Sequence, residues 1–185
     1  FFILTCFQVR TKTYLKYMMR TLGFDYVFEV GFGADLVARE YKKLLESNLN
    51  NGYISSDCPS IVNFIEYYHP DLVKNLAPIV SPMVAMTRVV KQKLGDDVKI
   101  VFVGPCIAKK AESEEVDIGL TFRELRGMFE LASITGDNVQ PSDFDPPHAG
   151  KGAIFPVSRG LIQTVNICDN SLEGNVIVAE GSRGF

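Results

Sequence analysis

The sequence lacks tryptophan and holds only two histidines and four cysteines in 185 residues. No two of the cysteines, Cys6, Cys58, Cys106 and Cys168, form a Cys-x-x-Cys pair, so a zinc ribbon is not expected. A disulfide framework is not expected either, since a chain of this length can bury a sufficient core without covalent links. An isolated cysteine is most often a small buried hydrophobic residue, and we expect this role for Cys6 and Cys168.

The sequence also lacks a strong excess of either charge and a long apolar run. It has 19 basic and 22 acidic side chains and a formal net charge of −3, which gives no electrostatic reason to expect a nucleic-acid partner. The clearest apolar run, at 99–104, is far shorter than a membrane span. No secretory pattern appears at the start of the sequence, and we therefore expect a cytoplasmic location.

Strand-like and helix-like segments alternate along the chain, which predicts an α/β fold. We expect two βα lobes with mostly parallel, twisted sheets flanked by helices, and a site in the crevice between the lobes. The polar segment 133–151 is the candidate lobe boundary within one partial domain that covers 1–185. Strands are predicted at 3–5, 26–30, 53–55, 98–103, 118–120, 153–157 and 175–179. Helices are predicted at 11–22, 34–47, 59–68, 71–76, 81–94, 121–131 and 160–166, with Ser81 and Thr121 as N-caps.

Cys58 and Cys106 each follow a predicted strand and precede a predicted helix. The carboxyl ends of parallel strands form the ligand crevice of an open α/β sheet. The amino end of a helix stabilises a thiolate, which is the form of cysteine that binds iron. Two such loops could supply half of the ligands of an iron–sulfur cluster, although a strand-end cysteine beside a proline can equally serve in packing.

Two lysines, Lys109 and Lys110, follow Cys106 closely. Beside an anionic cluster they would stabilise its charge and donate hydrogen bonds to it. The alternative is the solvated start of a helix. Because basic residues are disfavoured in the first turn of a helix, their presence favours a functional reason.

Two motifs carry a resemblance to a known family. The segment Ser-Asp-Cys-Pro-Ser at 56–60 resembles the first cluster motif of the iron-only (FeFe) hydrogenases, usually Thr-Ser-Cys-Cys-Pro. The segment Gly-Pro-Cys-Ile-Ala-Lys-Lys-Ala-Glu at 104–112 resembles the second, usually Met-Pro-Cys-x-x-Lys-x-x-Glu. Four shorter matches support these two motifs: Gly-Ala-Asp-Leu at 33–36, Pro-Asp-Leu at 70–72, Ser-Pro-Met at 81–83 and the stretch 155–161. The resemblance therefore runs from about Gly23 to Leu161.

The resemblance implies roles for individual residues. Cys58 and Cys106 would ligate the 4Fe–4S part of the H-cluster, and Lys109 would hydrogen-bond a cyanide of its diiron part. Glu112 would orient or balance Lys109. The implied catalytic set is therefore Lys109, Asp57 and Glu112, and the implied cofactor-binding set is Ser56, Ser81 and Lys109. The implied reaction is the reversible oxidation of dihydrogen to protons and electrons, with a ferredoxin-like electron partner or an attached signalling module, in an anaerobic source.

The sequence departs from the family pattern at three places. Asp57 stands where the family has a proton-relay cysteine; a carboxylate can also carry protons, and the alternative is a residue that only caps the following helix. Gly104 stands where the family has a methionine that packs on the diiron unit, so we expect a less enclosed unit. The third cluster motif, with the remaining two cysteines, does not appear before Phe185, so we expect the cluster to be absent or incomplete in this chain.

These departures leave several functions open. The first is a catalytic hydrogenase, and the second is a hydrogen or redox sensor of the same family. The third is a non-enzymatic iron–sulfur protein that serves cluster assembly or structure, and the last is an apo fragment without activity. Asp57 and Gly104 favour the sensor, while Lys109 argues mildly against the non-enzymatic branch.

Overall fold

A computed structural model of the chain describes residues 2–5, 12–47, 52–135, 142–157, 159–165 and 177. Within these residues, four strands form one sheet in the order β2-β1-β3-β4, and every neighbouring pair is parallel. The strands are β1 (Phe2–Thr5), β2 (Tyr26–Glu29), β3 (Ile100–Gly104) and β4 (Ile118–Thr121). The predicted α/β class with a parallel sheet is confirmed, and the second lobe stays a prediction.

Helices flank this sheet. They are α1 (Lys12–Thr21), α2 (Val30–Ser47), α3 (Pro59–Tyr68), α4 (Pro82–Leu94), α5 (Phe122–Leu131) and α6 (Gly160–Val165). Pro59 and Pro82 occupy first helical turns, where the missing backbone N–H has no partner to lose. Thr121 is the N-cap of α5, as predicted, and forms a capping box with Glu124.

The core lies on both faces of the sheet. Because successive side chains of a strand point to opposite faces, Ile100 and Phe102 of β3 pack towards α4. Val101 and Val103 pack on the other face, against α1 and α5. The sheet is therefore the middle layer of three, and β3 is buried along its whole length.

Helix α2 begins at Val30, four residues before the predicted start at residue 34, and includes Gly31 and Gly33. Gly33 allows close packing. A Cβ atom at this position would clash with the carbonyl oxygen of Pro82 and would lie 2.9 Å from the Cβ of Met86. The contact between α2 and α4 therefore requires glycine for space.

Three other predicted elements differ from the structure. The predicted strand 153–157 is wrong, because Lys151–Ile154 forms a 3-10 helix. In place of a sheet partner, the carboxylate of Asp35 accepts the N–H groups of Gly150 and Gly152, both at 2.6 Å. The segment 53–55 makes only an isolated bridge between Ile54 and Leu76. Residues 71–76 were predicted as a helix and form part of a 3-10 helix, Pro70–Asn75. The predicted strand 175–179 lies outside the described residues apart from residue 177.

Residues 142–150 of the predicted lobe boundary pack against the sheet. Phe144 is buried in the core with α1 and α5, and the N–H of Asp145 donates to the carbonyl of Val27 at 2.9 Å. The boundary itself stays a prediction. Among the described helices, none combines the length and apolar character that a membrane span needs.

Candidate metal centre

A cavity of about 380 Å³ lies at the carboxyl edge of the sheet. The chain runs from β1 to β2 on one side and later places β3 on the other side of β1, so the edge beside β1 is a switch point, where open α/β sheets bind ligands. The cavity is lined from the ends of β2 and β3, from the starts of α2, α3 and α4, and from the segment 149–156. Both Cys58 and Cys106 line it.

Cys58 is the N-cap of the ten-residue helix α3. Its carbonyl accepts the N–H groups of Ile61 and Val62 at 3.0 and 3.1 Å, while its thiol makes no capping hydrogen bond. The thiol is free and exposed. A helix amino end beside this thiol is therefore confirmed, although an isolated bridge and not a full strand precedes it.

Cys106 lies two residues beyond the end of β3 and precedes a five-residue 3-10 helix, Ile107–Ala111. Its thiol is also free and exposed. The predicted strand is confirmed, but the predicted helix is wrong here, because only this short 3-10 turn follows. The end of β3 places Cys106 at the cavity, and no α-helix follows whose dipole could stabilise its thiolate.

Lys109 joins the two cysteine loops. Its Nζ donates to the carbonyl oxygen of Asp57 at 2.8 Å and lies 2.7 Å from Oε2 of Glu112. Both side chains are largely buried, with exposed fractions of 16% and 12%. The predicted pairing of Lys109 with Glu112 is therefore present, and their roles towards a cofactor stay predictions.

Asp57 lines the cavity directly before Cys58. Burial raises the pKa of its carboxyl group to about 6, against the lowering effects of the Ser55 hydroxyl and the Lys109 ammonium. The Ser55 hydroxyl donates to Oδ2 of Asp57 at 2.5 Å. Its Oδ1 is buried without a hydrogen-bond partner among the residues that the structure describes. Cys58 holds the N-cap position of α3, so the alternative in which Asp57 only caps this helix is wrong.

Ser56 and Ser81 do not line the cavity but adjoin residues that do. Ser56 fixes its loop through two hydrogen bonds. Its hydroxyl donates to the carbonyl of Ile79 at 2.6 Å, and its backbone N–H donates to the Tyr41 hydroxyl at 3.0 Å. Ser81 is the N-cap of α4, as predicted, and is 2% exposed. Its hydroxyl has no partner within the described part of the chain. Cofactor binding by either serine stays a prediction.

Sequence reasoning missed the rest of the cavity wall. Phe102 lines the cavity from β3, Glu29 from the end of β2, and Phe155 from the segment 149–156. The similarity of 155–161 to the family pattern was a signal for this segment. Its place beside the cysteines depends on packing between parts of the chain that are distant in sequence, which no local pattern indicates.

The donor set suits an iron–sulfur cluster. Thiolates are the soft ligands that such clusters take, and a 4Fe–4S cluster takes four of them. The cavity offers two free thiols and the buried ammonium of Lys109. Within the described ranges, no group of three or more His, Cys, Asp or Glu side chains could hold a metal ion. The described residues thus fit half of a ligand set, while Cys6 and Cys168 lie outside them.

Fold and site together define an α/β protein with two cysteines and a lysine at one cavity beside a parallel sheet. The chain belongs to the family of the iron-only hydrogenase large subunit, C-terminal domain, whose model matches residues 4–180.

Curated relatives agree with this family. The chain is 33% identical over 169 residues to iron hydrogenase 1 of Clostridium pasteurianum, a match that covers 78% of this chain and 29% of the relative. It is 30% identical over 175 residues to the NADP-reducing hydrogenase subunit HndD of Solidesulfovibrio fructosivorans, covering 78% of this chain and 30% of the relative. The chain thus spans less than a third of the length of these two relatives.

Solved structures show the same fold. A variant of the FeFe-hydrogenase HydA1 from Chlamydomonas reinhardtii superposes with a TM-score of 0.76 at 21% identity, over 98% of this chain and 56% of that chain. An apo variant of the same protein gives a TM-score of 0.72 at 21% identity, over 88% of this chain and 52% of that chain.

Proposed function

We propose that this domain binds the 4Fe–4S part of an H-cluster through Cys58 and Cys106, in a hydrogenase-like protein that senses hydrogen or redox state. The observation that carries the proposal is that two cysteines from distant parts of the chain line one cavity and that Lys109 ties their loops together. Membership of the hydrogenase family supports the same reading of the site.

When bound, the H-cluster supplies the redox chemistry of dihydrogen, while the protein positions it and moves protons. Lys109 lines the cavity with its ammonium group held by the Asp57 carbonyl and by Glu112. A charged donor that is fixed from two sides needs little reorganisation to bind an anionic ligand. Glu112 balances the charge of this lysine and sets its direction.

Asp57 is the proposed proton carrier. Its carboxyl group lines the cavity and accepts a hydrogen bond from the hydroxyl of Ser55, an exposed residue. A group that exchanges protons efficiently has a pKa near the working pH, and burial places that of Asp57 at about 6. Asp57 thus joins the cavity to solvent through one hydroxyl group.

The wider biology follows from the family. We propose a ferredoxin-like electron partner or an attached signalling module, dihydrogen and protons as the small-molecule partners, and an anaerobic, cytoplasmic setting. The match to HndD, an NADP-reducing hydrogenase subunit by name, supports a role in electron transfer.

A second candidate is a non-enzymatic iron–sulfur protein. The chain is 27% identical over 103 residues to the cytosolic Fe-S cluster assembly factor NAR1 of Yarrowia lipolytica, covering 52% of this chain and 21% of that relative. In that case Cys58 and Cys106 would still bind a 4Fe–4S cluster, and Lys109 would serve only to join the two loops.

Anaerobic maturation of the full-length protein with both cluster parts, followed by assays of hydrogen evolution, separates these functions. We expect turnover well below that of a bulk hydrogenase measured in parallel, and a several-fold increase in Asp57→Cys, which restores the proton-relay residue of the family pattern. Asp57→Asn is the matched control, because it keeps the shape but cannot exchange a proton, and it should abolish turnover. Turnover equal to the bulk enzyme would contradict the sensor, and a stable cluster without any hydrogen chemistry would favour the second candidate.

A further inference from the structure

Gly104, the last residue of β3, leaves no room for a side chain. A Cβ atom built on it would lie 2.6 Å from Cζ and 2.7 Å from Cε1 of Phe102. The positive-φ glycines among the described residues are Gly23 and Gly95, so the backbone at Gly104 suits any residue. The need for glycine at 104 is therefore one of space alone.

Phe102 and Gly104 are two residues apart in one strand and so point to the same face of the sheet. The Phe102 ring leans along the strand over Gly104, towards the carboxyl edge that bears Cys106. This ring is 5% exposed, belongs to the core with α4, and also lines the cavity. It thus fills the space that a side chain at 104 would otherwise take.

We propose that Phe102 is the residue that closes the cavity on its β3 side, and that glycine at 104 is what allows the ring to lie there. The inference deepens the proposed function, because the enclosed cavity is the one assigned to the cluster. On this account Gly104 does not leave the site open, since a neighbouring aromatic ring supplies the wall.

Thermal unfolding of single and double variants tests the pairing without any cofactor. Phe102→Ala should lower the Tm by about 6–20 °C through the cavity it leaves, and Gly104→Ala by about 3–10 °C through crowding against the ring. In the Phe102→Ala background, Gly104→Ala should change the Tm by less than about 2 °C, because the ring is gone. Additive losses would overturn the pairing. Phe102→Leu in the same cycle keeps the test decisive if Phe102→Ala does not fold.

Gly127→Ala is the matched control for the glycine substitution. Gly127 lies inside α5, and a Cβ atom there would meet nothing within 4 Å. Alanine at 127 should raise the Tm slightly, since it favours the helix.

The role as a wall has its own readout in the reconstituted full-length protein. Loss of the visible absorbance of the iron–sulfur cluster in air should be several-fold faster in Phe102→Ala than in the parent. Val103→Ala is the control, because Val103 is equally buried but faces the opposite side of the sheet. Equal rates in the two variants would overturn the proposal. If no variant and no parent protein binds a cluster, the proposed function fails, and the unfolding cycle alone decides the pairing.

Discussion

The two cysteine loops reach the same cavity by different means. The Cys58 loop follows no extended strand and is held by side chains, since Ser56 binds both Tyr41 and the carbonyl of Ile79. The Cys106 loop is the direct continuation of β3, a strand buried along its whole length. The position of the Cys58 loop therefore depends on a few hydrogen bonds to other elements, whereas the position of the Cys106 loop is set by the sheet.

Lys109 couples the two. It belongs to the Cys106 loop, yet its ammonium group binds the backbone of Asp57, next to Cys58. The Lys109 side chain thus fixes the distance between the two cysteine loops. The Cys58 loop is therefore positioned partly by the Cys106 loop.

Removal of Lys109 should have the largest effect. Lys109→Ala leaves the largely buried Glu112 without its cation and releases the Cys58 loop, which we expect to cost about 3 kcal/mol of unfolding free energy. Denaturant titration of the protein without cofactor measures this loss.

Lys110→Ala is the matched control for that prediction. Lys110 pairs with Glu124 at 2.6 Å, but both side chains are well exposed, at 34% and 45%. Such surface pairs contribute little, so the stability should stay unchanged within error. Equal losses of unfolding free energy in Lys109→Ala and Lys110→Ala would show that the contact of Lys109 with the Cys58 loop contributes no more stability than a surface ion pair.

Asp145 gives a reference outside both loops, because it holds the segment 142–150 to β2. Its carboxylate accepts the Val27 N–H at 2.8 Å and pairs with Lys16 and Arg20 at 3.1 and 3.0 Å. Burial, the largest single influence, raises the pKa of Asp145, but the Val27 N–H and the two cations outweigh it and hold the pKa below its ordinary value of 3.8.

A carboxyl group with a lowered pKa stabilises the fold above its unfolded pKa, and this stability is lost as the pH falls through the folded value. Asp145→Asn should therefore lower the Tm at pH 7, and the difference in Tm from the parent should shrink as the pH falls below about 4, the ordinary pKa of an aspartate. Melting curves across this range test the prediction. A gap that is independent of pH would mean that the charge of Asp145 contributes nothing.

Tyr41→Phe should have the smallest effect and should be confined to the Cys58 loop. The change keeps the buried ring but removes the hydroxyl that accepts the Ser56 N–H, at a cost of about 1 kcal/mol. We expect alkylation of Cys58 to become faster while that of Cys106 is unchanged, as measured by mass spectrometry. Tyr67→Phe, at an 81% exposed ring, is the control. Equal acceleration at both cysteines would contradict the view that the Tyr41 hydroxyl anchors the Cys58 loop alone.

Features that depend on local sequence patterns could be predicted, whereas those that depend on contacts between distant residues could not. The continuous apolar run of β3 and the capping box at Thr121 are local patterns, so the strand before Cys106 and helix α5 could be predicted. The start of α2 was predicted four residues too late, at residue 34. Glycines such as Gly31 and Gly33 are common both in turns and where helices pack closely, and only the contact of Gly33 with Pro82 shows which case applies. The predicted strand 153–157 failed because its neighbouring amide groups bind Asp35, a partner distant in sequence.

The candidate site was predictable in its chemistry but not in its shape. Cys58, Cys106, Lys109 and Glu112 carry motif patterns, and the structure places all but Glu112 on the cavity wall, with Glu112 paired to Lys109. Phe102 carries no such pattern, since an aromatic residue in a buried strand usually indicates core packing alone. Its proposed second role, as a wall of the cavity, could be inferred only from the structure, in which the Phe102 ring occupies the space beside Gly104.

The central claim is that Cys58 and Cys106 are ligands of one 4Fe–4S cluster. The direct measurement is the absorbance and electron paramagnetic resonance of the reconstituted full-length protein and of Cys58→Ala, Cys106→Ala and Cys6→Ala. We predict that the cluster signal is lost in the first two variants and retained in Cys6→Ala. Retention of the full signal in Cys58→Ala or in Cys106→Ala would contradict the account.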